Sequence, residues 1–207
     1  MSPDTTTTMA SARAWVVTAV LLACLLAGPT DSWWRRRRRR APPPCPAYTD
    51  ALPGAINSWD QTFTFQCYGN QAISRVQSVH CDTTEDRVWR FECRSVPVLS
   101  YFNWHFWSPW INSFDNYMNY ACPFNGVVTG FKSEHSNHHE DRRWRVRCSI
   151  KWGMRTSCHY SSPYVNWWDG KMNYYVPYGY YIRGMYGYHD NGKEDRRYGF
   201  HLCRIYL

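Results

Sequence analysis

One charged and aromatic stretch occurs three times in this chain: EDRVWRFEC at Glu85–Cys93, EDRRWRVRC at Glu140–Cys148 and EDRRYGFHLC at Glu194–Cys203. In the first copy the apolar side chains of Trp89 and Phe91 alternate with charged ones. Alternation with a period of two residues is typical of a strand that buries one face. The stretch therefore predicts a half-buried strand, and its recurrence predicts a fold assembled from related units.

A second repeated element precedes each copy at the same distance. It reads AINSWDQTFTFQC (55–67), WINSFDNYMNYAC (110–122) and YVNWWDGKMNYYV (164–176), with Asn at the third place and Asp at the sixth. Both elements recur after 55 and then 54 residues, which chance explains poorly. We therefore divide the chain into three homologous units. The first, second and third units span 55–109, 110–163 and 164–207.

Three strands are predicted in each unit. In the first unit, the first strand is predicted at the end of AINSWDQTFTFQC, where apolar residues alternate from Phe63 to Cys67. The third strand is predicted at the end of the charged stretch EDRVWRFEC. The middle strands are predicted at 72–79, 127–133 and 181–185, with polar loops such as SEHSNHHE after them. No stretch has a long helical period, so the predicted fold class is all-β.

The cysteine count favours a framework of disulfides. Of nine cysteines, Cys24 lies in an N-terminal apolar run that we expect to be removed, which leaves an even set of eight. The separation of 26 residues recurs in the first and second units, so equivalent bonds are expected there, and the other cysteines are paired by elimination. The predicted bonds are Cys67–Cys93, Cys122–Cys148, Cys158–Cys203 and Cys45–Cys81.

The three pseudo-symmetric repeats are expected to close into one disulfide-stapled domain, because closure leaves few free sheet edges. A β-prism is preferred and a β-trefoil is the alternative. The preference depends on the disulfides, because a bond between the first and third strands of one unit suggests that each unit forms its own sheet.

The N-terminal region has the features of a secreted protein. The apolar run Ala14–Gly28 follows Arg13 and is too short to span a bilayer, so residues 1–32 are predicted to be a signal peptide. Residues 33–52 are predicted to be a basic, proline-rich pro-segment or linker before the domain at 53–207. Its run of six arginines, Arg35–Arg40, is interpreted as a processing site or as a basic arm for polyanions.

The repeated motif resembles the dermatopontin family in its D-R-x-W-x-F-x-C pattern and in YYIRG at Tyr180–Gly184. The resemblance covers about residues 53–207. It implies a non-catalytic matrix protein that binds proteoglycan glycosaminoglycans, collagen-associated partners and cell surfaces, with invertebrate relatives similar to lectins. The motif residues are Asp86, Arg87, Trp89, Asp141, Arg142, Trp144, Asp195, Arg196 and Tyr198.

The aspartate and arginine of the repeated stretch are interpreted first as a structural ion pair, because every unit keeps the whole motif. The neighbouring basic residues vary, and alternation places them outward when the Trp faces the core. An exposed guanidinium can bind sulfate or carboxylate with two hydrogen bonds. The predicted polyanion-binding residues are Arg90, Arg143, Arg145, Arg147, Arg155 and Arg197.

The repeated asparagines and aspartates of the second element have two interpretations. Their amide and carboxylate groups suit sugar hydroxyls, and the same residue types also form turns before strands. The candidate sugar ligands are Asn57, Asp60, Asn112, Asp115, Asn166 and Asp169.

Two further clusters contain residue types that are common in metal sites or binding surfaces. His135, His138, His139, Glu140 and Asp141 are of types that bind zinc or copper, but their spacing forms no closed site, so a solvated hairpin loop is preferred. We expect neither a metal ion nor another cofactor. The aromatic run YFNWHFWSPW at 101–110 is expected to pack between units, and a fraction of it left at the surface could stack on a saccharide or bind a protein partner.

No motif of a catalytic serine, a zinc protease or a phosphate loop is present, and the chain is not expected to be an enzyme. Two functions stay open. One is a matrix organiser that binds sulfated glycosaminoglycan and collagen-associated partners and supports matrix assembly and cell adhesion. The other is a carbohydrate-binding lectin that agglutinates cells in invertebrate-type defence or belongs to a biomineral matrix. Secretion to the extracellular matrix is expected, as is the absence of a nucleic-acid partner. An oligomer is compatible with either function.

Overall fold

A computed structural model describes residues 43–207, which form eleven strands and one short helix. The helix α1 spans Tyr48–Ala51. The strands are β1 (Phe63–Gln66), β2 (Gln71–Cys81), β3 (Asp86–Ser95), β4 (Trp104–Trp107), β5 (Met118–Ala121), β6 (Val127–Ser136), β7 (Asp141–Ile150), β8 (Arg155–Ser161), β9 (Met172–Tyr175), β10 (Tyr181–Asp190) and β11 (Asp195–Tyr206). The fold is all-β, as predicted. Within residues 43–207 no helix is long and apolar enough to cross a membrane. The predicted signal peptide and the arginine run lie outside the described residues.

Each unit contributes one long antiparallel hairpin, and each hairpin is the centre of a sheet. The first-hairpin sheet has the strand order β3-β2-β9, the second-hairpin sheet β1-β6-β7-β4, and the third-hairpin sheet β5-β10-β11-β8. Strands β1, β5 and β9 are the predicted first strands of the three units. Each therefore pairs with the hairpin of a different unit, and the exchange runs around all three.

The expectation that each unit forms its own sheet is wrong, because the first strand of each unit pairs with another unit's hairpin and the two equivalent disulfides join different sheets. Cys67 follows β1 of the second-hairpin sheet, whereas Cys93 lies on β3 of the first-hairpin sheet. Cys122 and Cys148 join the third-hairpin and second-hairpin sheets in the same way. A disulfide between two strands does not require that they share a sheet. The disulfides therefore give no support to a β-prism over a β-trefoil.

The third junction between sheets carries an apolar residue in place of a disulfide. Val176 follows β9 at the position of Cys67 and Cys122, and its backbone N–H donates to Ser74 O at 2.9 Å. The other two junctions have the equivalent hydrogen bonds, from Cys67 to Thr129 O and from Cys122 to Arg183 O, each 2.8 Å long. Every acceptor is a bulge residue of a middle strand, where the register shifts.

The core is aromatic and is shared by the three units. Trp89, Trp144 and Tyr198 are at most 2% exposed and meet edge to face, with ring centroids 4.8, 5.1 and 5.7 Å apart. Edge-to-face pairs at these distances add to the stabilisation that burial provides. The three sheets therefore pack around one centre.

Residues 43–52, assigned above to the linker, lie against the first unit. Cys45 is bonded to Cys81 at the end of β2, Thr83 Oγ1 donates to Pro43 O at 2.7 Å, and Trp59 Nε1 donates to Pro46 O at 2.9 Å. This segment precedes the first unit as β4 and β8 precede the other two. It forms α1 instead of a strand, which leaves the first-hairpin sheet with three strands.

Candidate functional site

A ring of buried arginine–aspartate pairs joins the three units, and we call it the charge ring. In each pair an arginine of one unit donates two hydrogen bonds to an aspartate of another, and every side chain is at most 3% exposed. The pairs and their N···O distances are Arg142 with Asp86 (2.6 and 2.8 Å), Arg196 with Asp141 (2.9 and 2.6 Å) and Arg87 with Asp195 (2.7 and 2.6 Å). The repeated motif thus forms structural ion pairs, and these ion pairs connect units.

Two aspartates of the ring, Asp141 and Asp195, have lowered pKa values. Burial alone would raise the pKa of Asp141, but His189 and Arg196 beside it lower that pKa to about 2. Burial likewise opposes the charge of Asp195, and the Arg87 guanidinium lowers its pKa. A buried carboxylate needs such partners, because an unpaired charge is costly to bury.

The predicted sugar-binding aspartates are part of the support of this ring. The backbone N–H groups of Asp60, Asp115 and Asp169 donate to the ring aspartates at 2.7, 2.9 and 3.0 Å. All three residues have a left-handed backbone, with φ of 62°, 63° and 56°. Aspartate tolerates this conformation better than most residues, which agrees with the turn interpretation.

The predicted sugar-binding asparagines are buried and engaged inside the fold. Asn57 is 4% exposed; its Nδ2 donates to Arg87 O at 3.1 Å, and its Oδ1 accepts from Trp89 N at 2.9 Å. Asn112 and Asn166 make the equivalent bonds in their own units. Each side-chain amide therefore makes the hydrogen bonds to the third strand that the backbone of a neighbouring strand would otherwise make. It does not face a sugar at the surface.

Three glutamates lie beside the charge ring and line one small cavity: Glu85, Glu140 and Glu194. Each has a left-handed φ of 45° to 49°. Burial, with the charges of Glu194 and Asp82, raises the pKa of Glu85 to about 8. A hydrogen bond with Glu194, followed by burial, raises the pKa of Glu140. The cluster therefore favours protons or cations.

The outer side of the second-hairpin sheet carries a row of positive charge, which we call the basic face. Arg143, Arg145 and Arg147 alternate on β7 with the buried Trp144 and Val146. Lys132 lies opposite Arg145 on β6, and Glu134 lies opposite Arg143 and binds it. The basic face consists of Lys132, Arg143, Arg145 and Arg147.

The three arginines of the basic face differ in how available their guanidinium groups are to an anion. Arg143 is paired with Glu134, and its guanidinium carbon lies 4.2 Å from the ring centroid of Trp110. Arg145 stacks on the same ring at 4.5 Å. Arg147 is half-buried, and burial lowers its pKa. Arg145 is therefore the best placed of the three to meet an anion.

The other predicted arginines lie apart from the basic face. Arg90, on the first-hairpin sheet, is paired with Glu92 at 3.2 Å. Arg155 is exposed on β8. Arg197 lies on β11, where its guanidinium carbon is 4.5 Å from the ring centroid of Trp167. The six residues do not form a single site.

The surroundings of Arg197 form a second surface that sequence reasoning missed. Tyr164, Trp167, Trp168 and Tyr188 surround it on the outer side of the third-hairpin sheet, and we call these five residues the aromatic face. Trp167 is 70% exposed, which is unusual for so large an apolar side chain. The signal in the sequence was the Trp-Trp pair after Asn166, where the other units have one aromatic residue.

The aromatic run at 101–110 packs less deeply than expected. Phe102 is buried, but Tyr101 and Trp104 are 53% and 51% exposed. The run contains β4, which is the edge strand of the second-hairpin sheet. An edge strand lies far from the shared centre, so part of the run packs inward at Phe102 and part of it stays at the surface.

Three sheets joined by disulfides and by one repeated ion-pair motif define a disulfide-stapled, all-β repeat protein. The family model described as Dermatopontin matches residues 57–207. The chain therefore belongs to the dermatopontin family.

Several curated proteins are similar to the chain. The hemagglutinin/amebocyte aggregation factor of Limulus polyphemus is 35% identical over 72% of this chain and 87% of its own length. Dermatopontin of Biomphalaria glabrata is 40% identical over 72% of the chain and 99% of its own length. Human dermatopontin is 29% identical over 73% and 77%. No solved structure matches the chain. These relatives support a role of the matrix or lectin type.

Proposed function

We propose that the chain is secreted and that it binds sulfated glycosaminoglycan in the extracellular matrix through the basic face. The observation that carries this proposal is the row of Arg143, Arg145 and Arg147 on one strand, with Lys132 beside it. Alternate residues of a strand are about 7 Å apart, so the row presents charges at regular steps along an extended chain.

The balance of charge on the basic face favours an anion. Four cations lie there, and Glu134 is the carboxylate paired with one of them. On the first-hairpin sheet, by contrast, Glu92 lies between Arg75 and Arg90 and binds both, at 3.0 and 3.2 Å. A carboxylate held between two arginines competes with an incoming sulfate, so we assign binding to the second-hairpin sheet.

Two variants of equal charge test the proposal by retention on a heparin column at two salt concentrations. Arg145→Gln/Arg147→Gln removes two positive charges from the basic face, and Arg75→Gln/Arg90→Gln removes two from the first-hairpin sheet. We expect the first variant to elute at clearly lower salt than the wild type and the second to elute close to it. Exposed charges are screened by salt, so retention itself should fall steeply as salt rises. Equal losses in both variants would show that net charge, and not this face, determines binding.

A lectin function is the second candidate, and the aromatic face supports it. An exposed aromatic ring can stack on the apolar side of a sugar, and Trp167 lies open beside the polar guanidinium of Arg197. The Limulus relative is named as a hemagglutinin. Under this function cell agglutination should persist at high salt, yield to a neutral competing saccharide and disappear in Trp167→Ala. Agglutination that Trp167→Ala leaves intact would exclude the aromatic face.

A further inference from the structure

A polar cavity of about 140 Å³ lies beside the hairpin turn of the second unit. Three imidazoles and three carboxylates line it, and no lysine or arginine is among its lining residues: Asp115, His138, His139, Glu140, His189 and Glu194. Imidazole and carboxylate together suit zinc and related divalent ions. The hairpin turn alone offers too few metal ligands, namely His138, His139 and Glu140. The tertiary structure brings Asp115, His189 and Glu194 to the same cavity.

Two buried atoms face each other across this cavity without a hydrogen-bond partner. The side chain of His189 is 1% exposed, and its Nε2 lies 4.0 Å from Asp115 Oδ1. That distance is too long for a hydrogen bond. Two ligands of a tetrahedral ion with bonds of about 2.0–2.1 Å lie about 3.3–3.4 Å apart, so the gap suits an ion once the two side chains close by about 0.6–0.7 Å.

Both residues are oriented from behind by a further group. Nδ1 of His189 lies 3.4 Å from Asp141 Oδ1, an ion-pair contact without hydrogen-bond geometry, and the other ring nitrogen lies on the side of the gap. Asp115 Oδ2 lies 2.8 Å from Nδ1 of His139, which leaves Oδ1 toward the gap. A carboxylate behind a histidine and a hydrogen bond to a ligating carboxylate are the usual outer contacts of a metal site.

The equivalent positions in the other units are less suitable. Asp169 of the third unit has Lys193 near it where Asp115 has His139, and that positive charge repels a cation. In the first unit Asp60, Asp86 and His135 have donor atoms within 4.8 Å of one another. Asp86 is paired with Arg142 just as Asp141 is paired with Arg196, but the positions of His138 and His139 are occupied there by Thr83 and Thr84, so the hairpin turn of the first unit offers no imidazole.

We propose that this cavity binds one divalent transition metal ion of the zinc type. His189 Nε2 and Asp115 Oδ1 are two of the ligands, and the exposed side chain of His138 turns inward to supply the third, because these three side chains do not already have donor atoms within 4.8 Å of one another. Glu140 lines the same space and adds negative charge. The site uses side chains of the second and third units and holds them together.

Zinc titration calorimetry of the full secreted protein, made without a histidine tag and treated with a chelator, tests the proposal. We expect one zinc ion per chain. Asp115→Asn should weaken binding by at least about 10- to 100-fold, because loss of even an outer contact of a metal site has an effect of that size and Asp115 is a direct ligand. His138→Ala should weaken it as well. Asp169→Asn, at the matched position of the third unit, and His159→Ala, an exposed histidine elsewhere, should bind as the wild type does.

Thermal unfolding gives an independent readout that does not depend on the stability of each variant. Zinc should raise the Tm of the wild type and of Asp169→Asn, because a ligand of the native state stabilises it. It should leave the Tm of Asp115→Asn nearly unchanged. The proposal is overturned by a wild type that binds no zinc at micromolar concentrations, or by Asp169→Asn losing as much affinity as Asp115→Asn.

Discussion

The charge ring and the outer faces of the sheets follow opposite rules. The ring has the same arginine, aspartate and supporting N–H group in all three units. The outer faces differ: one is basic, one is aromatic, and the first-hairpin sheet pairs its arginines with Glu92. Residues that meet another unit must match a partner, whereas outward residues meet only solvent or a ligand. The repeats therefore share a scaffold and differ in what they can bind.

Removal of one ring arginine is the change expected to have the largest effect. Arg142→Ala leaves Asp86 as a buried carboxylate without its guanidinium, and breaking a buried pair in this way costs about 3–5 kcal/mol. Chemical denaturation measures the free energy of unfolding. Arg143→Ala is the control, because it breaks the partly exposed pair with Glu134 and should cost about 1 kcal/mol or less. Similar costs for the two variants would remove the distinction between scaffold and surface.

Removal of one disulfide between sheets should have the next largest effect. Cys122→Ala/Cys148→Ala opens a bond with a sequence separation of 26 residues, and we expect the free energy of unfolding to fall by about 2–4 kcal/mol. Alanine is chosen because both positions are fully buried. Denaturation under non-reducing conditions gives the value. A variant as stable as the wild type would show that the junction is held without its bond, as the junction at Val176 is.

Glu85 should make stability depend on pH. Its pKa is about 8 in the folded chain, above the ordinary value of 4.5, so the folded state binds the proton more tightly. Its contribution is complete at acidic pH and is lost as the pH rises through about 8. Because Glu85 is partly exposed, solvent screening reduces the expected total to about 1 kcal/mol. The Tm of the wild type should decline between about pH 5 and pH 8.5, which is about the range between the ordinary and the folded-state pKa of Glu85. In Glu85→Gln this decline should be smaller. An unchanged slope in Glu85→Gln would assign the effect to other groups.

The smallest effect on stability is expected from the aromatic face. Trp167 is 70% exposed, so Trp167→Ala should change the free energy of unfolding by about 0.5 kcal/mol or less. Trp89→Ala is the contrast, since a buried tryptophan costs about 3–5 kcal/mol to remove. Parallel denaturation curves measure both. A large loss in Trp167→Ala would place that residue in the scaffold.

Much of the scaffold could be predicted from the sequence. The period-two alternation around Trp144 places Arg143 and Arg145 outward, and the structure places them there. The equal spacing of the cysteines predicts Cys67–Cys93 and Cys122–Cys148, elimination predicts the other two bonds, and the structure contains all four. These predictions succeed because strand alternation and repeat spacing are local properties of the chain.

The functional interpretation was harder to reach from the sequence. Asn57 and its equivalents look like sugar ligands as residue types, but their amides bind the backbone of the third strands. The exposure of Trp167 could not be predicted, because the sequence does not distinguish an exposed tryptophan from a buried one. The depth of a side chain depends on which strands cover it, and the sequence does not state this.

The sequence by itself determined three related units, an all-β fold, the outward row on β7 and the family to which the chain belongs. The tertiary structure decided which unit each first strand joins, which arginine meets which aspartate, and that Asp115 and His189 face each other across one cavity. Spacing along a chain defines equivalent positions within units, and it is silent on contacts between them. Those contacts depend on the path of the chain around the shared core, where strands of one unit complete the sheet of another.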